Sequence, residues 1–173
     1  MKRIMIIGSG GSGKSTLAKQ LGKLLHLPVH HMDAIFWQPG WVAIEREQLV
    51  EETINIMKTD NWIIDGNYSA SMEIRMQQAD TIIFLHYRTI QCLYGIIKRR
   101  IQHRNKTRPD MGKDCKEKID LEFFNWVRTF NKKKAPLIYQ RLSKYKNKNI
   151  LIFKNRKELN NFLKNLNHHR SVD

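Results

Sequence analysis

The sequence predicts an α/β protein built around a five-stranded parallel sheet, and three observations predict it. Five short apolar runs, at residues 3–7, 29–32, 62–64, 81–85 and 150–153, have the length and composition of buried strands. Helical patterns separate them, the alternation that parallel βαβ units require. Between the first run and the first helical pattern lies a glycine-rich stretch, GSGGSGKS, at residues 8–15.

Each helical segment carries its own apolar stripe. Leu17, Leu21, Leu24 and Leu25 recur at i, i+4, i+7 and i+8. Residues 45–58 repeat the habit with Val50, Ile54 and Met57, and a third segment does so with Ile90, Leu93, Tyr94, Ile97 and Ile101. The last carries Leu159, Phe162, Leu163 and Leu166. All four stripes are expected to face the core. One stretch breaks the alternation. Residues 103–136 are strongly basic, with turn chemistry at Arg108-Pro109-Asp110 and Gly112, then a short amphipathic helix marked by Ile119, Phe123, Val127 and Phe130. An insertion of this size between the fourth and fifth strands predicts a lid over the site. At 173 residues the chain reads as one domain, 1–173, with that lid inside it.

Strand, G-x-x-x-x-G-K-S, helix is the setting of a phosphate-binding loop. Glycines let the backbone close around phosphates, so that amide N–H groups and a helix N-terminus point at anionic oxygens. Gly8, Gly10, Gly11, Ser12, Gly13, Lys14, Ser15 and Thr16 are therefore the expected nucleotide-binding set. Lys14 would reach the β- and γ-phosphates, and Ser15 would offer its hydroxyl to Mg²⁺. The third strand ends WIIDGNY, which puts Asp65 at its carboxyl end. A carboxylate there can hold Mg²⁺ or cap the turn through Gly66 and Asn67. There is no N-K-x-D guanine-reading motif, since Asn131 is followed by three lysines, and no apolar strand ends in Asp-Glu. The expected cofactors are ATP and Mg²⁺, with the choice between ATP and GTP left open by the loop itself.

The net charge of +15 is uneven. Residues 1–85 hold 8 Lys+Arg against 9 Asp+Glu, so residues 86–173 carry a net +16. Such asymmetry fits a nucleic-acid surface, or a phosphate-clamping lid together with a Lys/Asn-rich exterior. Cys92 and Cys115 lack a C-x-x-C partner, so neither a disulfide framework nor a zinc site is indicated. No window approaches the ~20 apolar residues of a membrane span. The N-terminal run is too short for a signal-peptide core, so a cytoplasmic protein without membrane partners is expected.

GSGGSGKST resembles the loop of the adenylate, shikimate and gluconate kinase superfamily, and IIDGNY resembles the D-G-aromatic signature of adenylate kinases. Three further stretches resemble the adenylate-kinase-related, FlaR-like "topology modulation" proteins. They are D-x-x-x-W-x-P-G-W from Asp33 to Trp41, DGNY from Asp65 to Tyr68, and R-x-x-x-R-P-D-M from Arg104 to Met111. The resemblance covers nearly the whole chain. It implies a P-loop three-layer sandwich with strand order 2-3-1-4-5 and phosphoryl transfer from ATP to an acceptor under the lid. Arg100 and Arg104 match the superfamily's R-I-x-x-R pattern and, four apart, would share a helix face. Their guanidinium groups could grip the transferring phosphoryl, as could Arg108 and Arg128. Asp33 matches the position where shikimate-kinase-like proteins set a carboxylate against the acceptor hydroxyl. DGNY lacks the Pro-Arg that grips AMP in adenylate kinases, with Arg75 as the substitute in reach. Trp37, Trp41 and Tyr68 could stack on a base, shape an acceptor pocket, or pack beneath a loop.

The resulting expectation is an ATP-dependent phosphotransferase acting on a small-molecule acceptor. The alternatives are a nucleic-acid-associated ATP-binding protein that modulates DNA topology, and a nucleotide-binding protein that transfers nothing.

Overall fold

The computed structural model describes residues 1–104 and 106–170. Five parallel strands form the central sheet: β1 (Arg3–Gly8), β2 (Val29–His31), β5 (Trp62–Asp65), β6 (Thr81–Leu85) and β7 (Asn149–Phe153). Their order is β2-β5-β1-β6-β7, the expected 2-3-1-4-5 once the separate ribbon of β3 (Trp37–Gln38) and β4 (Val42–Ala43) is set aside. β1 lies at the centre, and Ile4 to Ile7 are fully buried, as befits a parallel strand covered on both faces.

Alternate residues of each strand feed two cores. Met5, Ile7, Ile64, Ile82 and Phe84 meet α3 (Arg46–Met57), α4 (Ser69–Gln78) and α7 (Ala135–Leu142). Ile4, Ile6, Ile63, Ile83 and Leu85 meet α1 (Lys14–Leu25), α5 (Thr89–Gln102) and α8 (Arg156–Arg170). Helices on both faces of a parallel sheet make the three layers. Cys92 and Cys115 are free thiols. Among the described residues no helix is long and apolar enough to cross a membrane.

Two of the expected stripes do not face inward as read. On α5 the buried residues are Cys92 and Ile96, while Ile90, Tyr94, Ile97 and Ile101 lie on the exposed side. On α3 the buried residues are Leu49 and Thr53, and Ile54 is exposed. For α5 the cause is backbone proximity. A Cβ on Gly95 would sit 2.1 Å from Gly11 O, and one on Gly11 would sit 2.2 Å from Cys92 O. The face carrying Gly95 is the one that can touch the loop, and the bulkier apolar face is turned away.

The excursion at 103–136 divides in two. α6 (Leu121–Lys133) belongs to the body, with Val127 in one core, Phe130 in the other and Asp120 capping its start through the Phe123 amide. What remains as the candidate lid is the shorter stretch before it, of which residues 103–104 and 106–120 are described. That stretch docks on the β3–β4 ribbon. Trp41 Nε1 donates to Lys116 O at 3.1 Å, the Cys115 thiol donates to Gln38 O, and a Cβ on Gly112 would fall 1.8 Å from Trp37 O.

Gly95→Ala should therefore displace the phosphate-binding loop rather than simply stabilise α5, despite alanine's higher helix propensity. The expected result is a loss of about 1–3 kcal/mol in denaturant melts, with nucleotide affinity reduced in calorimetry. A variant as stable as the parent, with unchanged affinity, would show that the close approach is not needed.

Candidate active site

β1 ends at Gly8, and the chain wraps through residues 9–13 before α1 begins at Lys14, with Gly13 at φ 93° as its N-cap. Two fastenings outside the loop hold this turn. Asn67 pairs with Gly8 in both directions: its Nδ2 donates to Gly8 O at 2.7 Å, and its Oδ1 accepts from Gly8 N at 3.1 Å. Ser12 Oγ donates to Ser9 O. Phe123 and Val127 of α6 press against Gly10. The loop is thus rigid from three sides, the condition for amide groups to be preorganised toward phosphate.

Lys14 Nζ donates to Ser9 O at 3.0 Å. Burial lowers its pKa from the ordinary lysine value, opposed by the nearby Asp33 and Asp65 carboxylates. Ser15 Oγ donates to Asp65 Oδ2 at 2.8 Å, so the hydroxyl and the strand-end carboxylate expected at a magnesium site meet directly. The other Asp65 oxygen pairs with His31 Nδ1 at 2.5 Å, across the β2–β5 register that sets these residues side by side. Among the described residues no cluster of three His, Cys, Asp or Glu forms an all-protein metal cage. A hydroxyl and a carboxylate suit Mg²⁺ arriving with its nucleotide and keeping water in its shell.

A cleft of about 1120 Å³ opens over this loop. Of the residues the sequence singles out, Gly10, Gly11, Gly13, Lys14, Ser15, Thr16, Asp33, Asp65 and Arg108 line it. Gly8 and Ser12 support it from behind. Arg100, Arg104 and Arg128 do not line it. α5 ends at Gln102, so Arg104 lies beyond the helix and cannot share a face with Arg100. Arg128 sits on the outer side of α6. The arginine that α5 does bring to the cleft is Arg99, one turn after Gly95 and on the same face. Burial lowers its pKa, as does the like charge of Arg108, while Glu117 and Asp33 oppose them.

Asp33 lies in α2 (Met32–Phe36), just past the end of β2, and Tyr68 Oη donates to its Oδ1 at 2.7 Å. Burial, reinforced by the Asp33 charge, pushes the Tyr68 phenol well above its ordinary pKa, so it remains a donor. Phe36, Trp37, Trp41 and Tyr68 form a connected aromatic run, with centroid spacings of 4.8 Å for Phe36–Trp37, 5.3 Å for Trp37–Trp41 and 5.0 Å for Phe36–Tyr68. All four line the cleft.

Arg75 is not a ligand-gripping arginine. It is fully buried beneath the DGNY turn, donating to Gly66 O at 2.8 Å, Tyr68 O at 2.9 Å and Asn67 O at 3.3 Å, with Nε on Ser71. Burial pulls its pKa down to about 10, which still leaves it charged at neutral pH. Its work is to hold the turn that carries Asp65, Asn67 and Tyr68. The lid brings its own charges. Arg108 Nη1 pairs with Asp110 Oδ2 at 2.7 Å, and Glu117 pairs with Arg99 and with Arg108.

No protein-family model and no curated protein sequence matches the chain. Solved structures do resemble it in fold. Shikimate kinase from Acinetobacter baumannii in complex with shikimate aligns with a TM-score of 0.62 at 14% identity, over 95% of this chain and 94% of that one. Shikimate kinase from Bacteroides thetaiotaomicron aligns with 0.53 at 18% identity, over 98% of each chain. A deoxyadenosine kinase from M. mycoides with products dCMP and dCDP bound aligns with 0.51 at 15% identity, over 98% of this chain and 99% of that one. The likeness is one of architecture, a P-loop kinase-like fold across the full chain.

Arg75→Met should leave three backbone carbonyls unpaired beneath the DGNY turn and cost about 3–5 kcal/mol, since each buried acceptor left unsatisfied costs about 1–3 kcal/mol. Thermal melts of the apo protein would read the loss without any ligand. A variant that melts within 2 °C of the parent would mean the turn holds itself.

Proposed function

We propose that this protein transfers the terminal phosphoryl group of ATP to a hydroxyl of a small anionic acceptor. The observation that carries the reading is that Lys14 and Asp33 face one cleft, with the Asp33 carboxylate close enough to act on the lysine's charge. One marks the donor phosphates and the other an acceptor hydroxyl. The cleft volume slightly exceeds the roughly 300–1,000 Å³ of single-ligand pockets, which gives room for two molecules. The structural neighbours named as kinases agree with this reading.

The roles follow from position. Loop amides and the start of α1 bind the phosphates, and Lys14 leaves Ser9 O for their oxygens. Ser15 and Asp65 would hold Mg²⁺, which supplies charge to offset the phosphates. With Oδ1 fixed by Tyr68, Asp33 offers Oδ2 to the acceptor hydroxyl. It orients the attacking oxygen and takes its proton as the new O–P bond forms and ADP leaves. The expected Arg108, joined by Arg99 in place of Arg100, Arg104 and Arg128, supplies the cations that meet charge building on the transferring group. At the acceptor end Phe36 and Tyr68 form an apolar wall, and Arg141 of α7, whose Nη1 rests on Met72 Sδ at 2.8 Å, provides a cation for a carboxylate or phosphate.

An ATP-depletion screen over nucleosides, nucleoside monophosphates, sugars and hydroxy acids tests this directly, with Lys14→Ala as the inactive control. Acceptors that raise ATP consumption are expected to carry both a hydroxyl and an anionic group. For such an acceptor, Asp33→Asn should lower turnover by about 10²–10⁴-fold while Mg-ATP binding stays within twofold of the parent. Normal turnover in either variant would rule the assignment out.

A further inference from the structure

We propose that Glu117 is the positioning residue for Arg99 and Arg108, aiming both guanidinium groups at the terminal phosphoryl of the bound triphosphate. The proposal rests on the phosphotransferase reading for what the arginines meet, and on lid geometry for how they are held. The Glu117 side chain is 1% exposed and does not line the cleft, whereas both arginines do. Its two oxygens are divided between them: Oε1 accepts from Arg99 Nε at 2.7 Å, and Oε2 lies 2.7 Å from Arg108 Nε. Held at Nε, the Arg99 guanidinium has its plane fixed and its terminal nitrogens left for another anion; Arg108, ion-paired to Glu117 through Nε and to Asp110 through Nη1, keeps Nη2.

Three further contacts orient the assembly. Arg108 Nη1 is tied to Asp110. Arg99 lies over the Phe123 ring, with Cζ 5.6 Å from the centroid. The Glu117 amide donates to Lys106 O at 3.0 Å, which fixes the carboxylate within the lid. Arg99 belongs to α5 and Arg108 to the lid, so a single buried carboxylate joins the two sides of the cleft. Without its charge, two like-charged groups would face each other in a desolvated setting and turn apart. Arg99 shares its cleft with both Lys14 and Asp33 and is close enough to act electrostatically on each.

A residue that only fastens the lid would affect every nucleotide alike. A residue that aims cations at the terminal phosphoryl affects triphosphate binding selectively. Calorimetry of Glu117→Gln should show Mg-ATP binding weakened about tenfold, the scale of one lost charge-assisted hydrogen bond, with Mg-ADP within twofold of the parent. Equal weakening of both nucleotides, or no change in either, overturns the proposal. Arg99→Lys and Arg108→Lys keep the charge but lose the Nε–H, so they provide a second route if Glu117→Gln folds poorly. Each should reproduce the ATP-selective loss, and adding Glu117→Gln should deepen it by less than twofold. Fully additive losses would mean that Glu117 acts elsewhere. Wild-type protein that binds Mg-ATP yet transfers to no acceptor would sink the phosphotransferase reading and leave this comparison intact.

Discussion

The contact on which the site depends is between two stretches of backbone. The glycine-rich loop lies against α5 with no side chain between them: Gly11 fills the space where a Cβ on Gly95 would go, and the α5 backbone at Cys92 and Ile96 fills the space where a Cβ on Gly11 would go. Because the approach is so close, it fixes the rotation of α5 about its axis. With Gly95 facing the loop, Cys92 and Ile96 go to the core, and Arg99, four residues on, comes over the phosphate site. Arg100 is rotated about 100° further round the helix and cannot reach it. One glycine contact therefore selects both the apolar face of a helix and the cation it delivers.

That dependence explains which parts of the molecule were legible in the sequence. The strands were, because β1, β5 and β6 are short apolar runs with polar residues only at their ends, bounded by turns, a pattern with few other readings. The loop was, because its glycine spacing, lysine and serine have one physical use between a strand and a helix. α5 was misread because Ile90, Tyr94, Ile97 and Ile101 form a better apolar stripe than the true inner face of Cys92, Gly95 and Ile96. Periodicity favours the greasier face; close packing favours the smaller one. The signal available was Gly95 itself, a glycine inside a helical pattern, which commonly marks a place where something must come near. Taken as the inner face, it would have pointed to Arg99.

Other site residues were hidden for a different reason. His31, Asn67, Asp110 and Glu117 do their work through partners 18 to 59 positions away in sequence for His31, Asn67 and Glu117, and Asp110 through a lid conformation that no local pattern specifies. Arg75 shows the converse error. Its position near the DGNY turn was read as a reach toward ligand, but the turn's own carbonyls claim the donors of this fully buried side chain first. A buried backbone carbonyl without a partner is costly, so an arginine within range of three of them has little freedom to do anything else.

The charge of the chain acquires a more specific sense in this setting. Arg99 and Arg108, two of the cleft's cations, are matched locally by Glu117 and Asp110. The large excess of positive charge in the C-terminal half lies mostly on exposed lysines outside that cluster. The pairing is polarised: Glu117 sits behind the cleft wall, while Arg99, Arg108 and Asp110 face the cleft, with Lys19 at the outer edge of Asp110. Such an arrangement accepts a small polyanion without leaving uncompensated charge when the site is empty, which a bare row of arginines could not do. It also ties residues 106–120 to α5 through Glu117, so the seating of that stretch and the orientation of both guanidinium groups are set together.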